Sequence, residues 1–165
     1  RGRILAPQDA KLDVTTGFPV EPVDGYSTRP VPAEKYVPEW HLYVTPPQPS
    51  AKAEFLAAMQ IQRLGEQPGP EATIEPIEAI GGHGVCIRVG DRTHLILSRK
   101  AGADGLLRGA DLETDGQAAA AEFAQDGNLV RAMVVGAKKL LYHGRALLDA
   151  DKPQDWSSDS STRKG

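Results

Sequence analysis

Val85-Cys86-Ile87-Arg88-Val89-Gly90-Asp91-Arg92-Thr93-His94-Leu95-Ile96-Leu97-Ser98 is the stretch whose reading decides the fold class. Two runs rich in β-branched and apolar residues flank a Gly-Asp pair. Glycine in the first place of a two-residue connection suits a type II′ turn, whose twist matches that of antiparallel strands. A turn at 90–91 sets the register. Val89 then faces Arg92, Ile87 faces His94, and Val85 faces Ile96.

The same logic extends toward the C-terminus. Asp126-Gly127 is a type I′ signal. It predicts Phe123 opposite Val130 and Glu122 opposite Arg131. An apolar pair beside an opposite-charge pair is favourable, each worth roughly 0.2–1 kcal/mol. A third turn at His143-Gly144 sets Tyr142 opposite Arg145 and Leu141 opposite Ala146. Short strands separated by glycine-containing turns predict an all-β fold, an antiparallel β-sandwich built from short hairpins. Residues 151–165, DKPQDWSSDSSTRKG, are polar and of low complexity. They read as a flexible, disordered tail, with Trp156 as its one docking residue.

Toward the N-terminus, residues 65–72 read as a loop. Residues 51–64, AKAEFLAAMQIQRL, are ambiguous. Ala, Glu, Leu, Met and Gln favour helix. Phe55, Ala57, Met59 and Ile61 also alternate with the strand period. Residues 1–50 carry Pro7, Pro19, Pro22, Pro30, Pro32, Pro38, Pro46, Pro47 and Pro49. Proline lacks the ladder N–H and holds its predecessor extended. This segment is therefore expected to be extended chain with short edge strands. Its best strand is Trp40–Thr45, where Trp40, Leu42 and Val44 alternate with His41, Tyr43 and Thr45. Pro46 ends it.

The 165 residues suffice for one domain with a core, or for two small sheet layers. A net charge of -3 argues against a general binder of nucleic acid or of anionic membranes. No apolar run reaches the roughly 18–20 residues that span a bilayer. The single cysteine, Cys86, lies between Val85 and Ile87 and reads as a small core residue.

Little in the chain signals chemistry. His41, His83, His94 and His143 have no spacing typical of a metal site. Gly81-Gly82-His83-Gly84 leads into a strand, whereas a phosphate cradle opens into a helix N-terminus. No G-x-S-x-G elbow occurs. Asp111, Glu113 and Asp115 alternate, as a solvated strand face or a calcium site would. Trp40 and Tyr43 could offer aromatic faces to a sugar. Trp40 is also in phase with the apolar Leu42 and Val44, as a core residue would be. No catalytic residue and no metal ligand is assigned.

Two stretches carry a family resemblance. Leu5-Ala6-Pro7-Gln8-Asp9-Ala10 is followed by Trp40-His41-Leu42-Tyr43-Val44-Thr45-Pro46 and by Phe55-Leu56. Later come Leu112-Glu113-Thr114-Asp115-Gly116-Gln117-Ala118, Asp126-Gly127, Val135-Gly136, Leu140, Tyr142 and Gly144. In order and spacing these resemble the closing region of heparinase II/III-like polysaccharide lyases of bacteria. The anchors run to about Leu148. The chain departs from that pattern at Thr15-Thr16-Gly17-Phe18-Pro19 and Asp24-Gly25-Tyr26, where the family has a glycine-rich loop and an Asn-Tyr. Val135-Gly136 stands where it has an Asn-Gly.

The resemblance implies that residues 51–64 are strand. It divides the chain into 1–50, the end of a larger β-domain; 51–150, a C-terminal sandwich; and 151–165, the tail. It implies a non-catalytic C-terminal portion of an enzyme that cleaves uronic-acid glycans by β-elimination. An upstream toroid and β-domain of the same enzyme would be its partners, and an acidic polysaccharide would reach it through the parent. No cofactor is expected in this chain, since a structural metal of the family would sit outside the segment. A periplasmic or extracellular location is implied. The rival readings are an independent carbohydrate-binding module and the β-domain of an unrelated enzyme, such as a glycoside hydrolase.

Overall fold

The hairpin at Gly90-Asp91 forms in the expected register. Val89 pairs with Arg92, Ile87 with His94 and Val85 with Ile96. Gly90 takes φ 58, which glycine adopts without a Cβ penalty. The computed structural model describes residues 2–16, 40–60 and 69–159. Five of the N-terminal prolines, from Pro19 to Pro38, lie outside them, as do Ile61 and the residues after Asp159.

Every regular element described is a strand. In chain order these are β1 (Gly2–Ala6), β2 (Lys11–Thr16), β3 (Trp40–Thr45), β4 (Leu56–Met59), β5 (Thr73–Ile77) and β6 (Gly82–Val89). Then come β7 (Arg92–Arg99), β8 (Leu107–Gly109), β9 (Leu112–Thr114), β10 (Ala118–Phe123), β11 (Leu129–Tyr142) and β12 (Arg145–Asp159). The pairings are antiparallel wherever register is defined. The fold is all-β, as expected. The helix that propensity favours over 51–64 is not formed among residues 51–60, where β4 lies instead.

The chain divides into two compact units. One comprises residues 4–57 and the other residues 1–3 with 58–165. β1 and β4 pair with each other, and the division falls within them. In the smaller unit β2 and β3 form a two-stranded sheet, with Leu12 opposite Val44 and Val14 opposite Leu42.

The larger unit holds the core. Its strands run β5-β6-β7-β10-β11-β9-β8, and β12 lies along β11. The sheet curls until Ile80, just before β6, bridges to Arg108 on β8. It is therefore nearly a closed barrel. Inward positions alternate along the strands, as the pleat requires. Leu97, Leu107, Leu112, Ala119, Ala121, Phe123, Ala132, Val134, Ala137, Leu140 and Leu148 form one buried cluster. β10 is built from Ala118-Ala119-Ala120-Ala121, which are strong helix formers, yet it lies between β7 and β11. Sheet context overrides propensity here.

The other two hairpins resolve differently. Tyr142 pairs with Arg145 and Leu141 with Ala146, as expected. His143 and Gly144 take φ 48 and 74, as a type I′ turn needs. At Asp126-Gly127 the expected two-residue turn becomes a three-residue connection. Glu122 pairs with Arg131 as anticipated, but Phe123 pairs with Leu129 instead of Val130. The Gly127 N–H donates to the Ala124 carbonyl at 2.9 Å, and Gly127 alone of the pair takes positive φ, 81. The Asp126 carboxylate explains the shift, because it accepts from Asn128 N at 3.0 Å and Nδ2 at 2.7 Å. These bonds to Asn128 hold its pKa below the ordinary carboxylate value. Their support is present above that ordinary value and fades as pH falls through the depressed one.

The tail also differs from expectation. β12 continues to Asp159, with Trp156 opposite Val134 and Asp159 opposite Arg131. Residues 151–158 are exposed, apart from the half-buried Trp156 and Ser158. They are held by ladder bonds to β11, which composition does not reveal.

Candidate functional site

The candidate sugar-contact residues sit on β3. Tyr43 is exposed and pairs with Asp13, on the face it shares with His41 and Thr45. Position 40 pairs with Thr16, and positions 40 and 43 therefore have opposite parity along β3. The face in phase with position 40 carries Leu12, Val14 and Leu42, each more than half exposed at 52%, 57% and 56%.

The polar residues singled out by the sequence disperse. Asp111, Glu113 and Asp115 do not converge. Asp111 Oδ2 lies 3.4 Å from His143 Nδ1, and Glu113 accepts from Arg108 Nε at 2.6 Å. Asp115 Oδ1 accepts from the backbone N–H groups of both Lys138 and Lys139 at 2.9 Å. Among the described residues no group of three or more His, Cys, Asp or Glu could hold a metal ion.

The Asp115 contacts belong to a larger device. β11 bulges between Val134 and Lys139, where Gly136 takes φ 63 and ladder pairing breaks. Side chains then take up backbone groups that the ladder leaves unpaired. Besides Asp115, the Asp155 carboxylate accepts from Gly136 N at 2.8 Å. The buried Thr114 hydroxyl donates to the Lys139 carbonyl at 2.7 Å and accepts from Gly116 N at 3.0 Å. Within the Glu-Thr-Asp-Gly run, read as a family anchor, Thr114 and Asp115 thus clamp the β11 bulge. Val135-Gly136 is that bulge, within a continuous strand.

The glycines at the start of β6 are likewise structural. A Cβ on Gly82 would collide with the Ser98 carbonyl, and one on Gly84 would lie 2.5 Å from Ile77 Cγ1. Close approach of the Ser98 backbone at Gly82 and of the Ile77 side chain at Gly84 accounts for both glycines. Cys86 is buried at 3% exposure. Burial pushes its thiol pKa up, ahead of a lowering by Arg88 and a further raising by Glu75. A protonated, covered thiol is a poor nucleophile. At pH 8 Cys86 is expected to react with a disulfide reagent only as fast as the chain unfolds, and at once in denaturing urea. Rapid reaction of the folded chain would refute the burial.

Cross-strand register builds one feature that the sequence reading missed. Ile74, Ile87, His94, Glu122 and Arg131 form a row across β5, β6, β7, β10 and β11. The next row carries Val85, Ile96, Ala120 and Met133. Both lie on the face turned away from the core. There all of these residues except Val85 line an open groove of about 450 Å3, together with Met59 and Val89. The Gln60 amide fixes its rim, donating to the Pro70 carbonyl at 3.0 Å and accepting from Ala72 N at 3.2 Å. Aliphatic side chains dominate, with His94, Glu122 and Arg131 at one corner and no Phe, Tyr or Trp lining it among the described residues. Glu122 also lies 3.5 Å from Arg92. The signal was present in the sequence, since β6 and β7 carry apolar residues on both faces.

No protein-family model matches the chain, and no curated protein matches it.

Proposed function

We propose that this chain is the non-catalytic C-terminal β-portion of a heparinase II/III-like polysaccharide lyase. Its work is to buttress the segments that carry out β-elimination on uronic-acid glycans. The observation that carries this reading is the apolar surface left open in each unit. Leu12, Val14 and Leu42 are exposed on the β2/β3 sheet, and Ile96 and Met133 on the outer face of the larger sheet. A two-stranded sheet is marginal by itself. Contiguous exposed apolar surface marks a place where other protein packs. The motif succession supplies the family. The clamp fits the reading, because Thr114 and Asp115 of that anchor are spent on backbone support.

In this reading the upstream toroid and β-domain are the partners, the acidic polysaccharide is bound by the parent, and the protein works in the periplasm or outside the cell. The chain itself carries no cofactor. The test is the ultraviolet absorbance of unsaturated uronate released from acidic polysaccharides. The complete gene product is expected to generate it, and this chain alone is expected to give none. Product formed by this chain alone would overturn the supporting role, and a complete gene product without a toroid segment would overturn the family.

The exposed Tyr43 keeps a second reading open, glycan binding by the module itself. Calorimetric titration of this chain with glycans separates the two. Heat lost on Tyr43→Ala, with unchanged circular dichroism, would favour the binding module over the purely structural role.

A further inference from the structure

We draw no further inference here: the strongest candidate, the open aliphatic groove on the outer face of the larger sheet between Ile74, Ile87, Ile96 and Met133, is an apolar face, and nothing in the structure shows what covers it.

Discussion

Leu97→Ala is expected to lower the unfolding free energy by about 2–5 kcal/mol, toward the upper end of that range. Leu97 is fully buried on β7. Its cross-strand neighbours are Gly84 on β6 and Ala119 on β10, which have almost no side chain to lend. Across the interior, a Cβ placed on Gly109 would lie only 3.0 Å from Leu97 Cδ2. One leucine thus fills space that three small residues leave to it. Truncation leaves a cavity that the surroundings cannot collapse into. Urea denaturation should show a lower midpoint with an unchanged slope, the mark of a stability change alone. Met133→Ala, on the half-exposed outer face, should cost less than about 1 kcal/mol. Equal effects for the two would contradict the assignment of inner and outer faces.

Gly116→Ala should cost about 1–3 kcal/mol, although it adds one methyl group. The new Cβ would stand 2.6 Å from the Val135 carbonyl oxygen and 2.8 Å from Ala137 Cβ. Two of its obstacles are main-chain or Cβ atoms, so no flexible side chain can swing aside. Relief would require β11 to move off Gly116, straining the bonds from Thr114 and Asp115 to Lys138 and Lys139. Faster amide exchange at 138 and 139 should accompany the loss. Gly69→Ala serves as the control, because its Cβ would meet nothing within 4 Å and its φ is not positive. A Gly116→Ala protein as stable as the control would remove the clamp from the account.

Much of the architecture was legible because turn chemistry fixes register. Gly90-Asp91 and His143-Gly144 yield five cross-strand pairs from sequence, all of which form. Phe123 was misplaced by one residue, because the Asp126 side chain, a non-ladder group, reshapes that connection. Ala118–Ala121 could not be read as strand from propensity, since its environment is supplied by β7 and β11. Asp151–Asp159 was misread because polar composition resembles disorder, while its order comes from ladder bonds to a distant strand. The outer groove needed register across five strands, and only adjacent hairpins could be deduced. The carboxylates at 111, 113 and 115 alternate as a shared face would. They part because each meets a different partner: a turn histidine, a neighbouring arginine and a bulge.

The barrel's circumference is unevenly sewn. β6 and β7 share eight residue pairs, and β7 and β10 share six. Among the described residues the ring is joined next to β6 and β8 by one isolated bridge, Ile80–Arg108, with N–H···O distances of 2.8 and 3.1 Å. A wall held by so few bonds is the one that opens first when a protein breathes. Leu107 and Leu112, both fully buried, lie just inside that seam on β8 and β9. Water and denaturant would therefore reach the interior there before the long ladders yield, which makes the seam the molecule's natural point of entry.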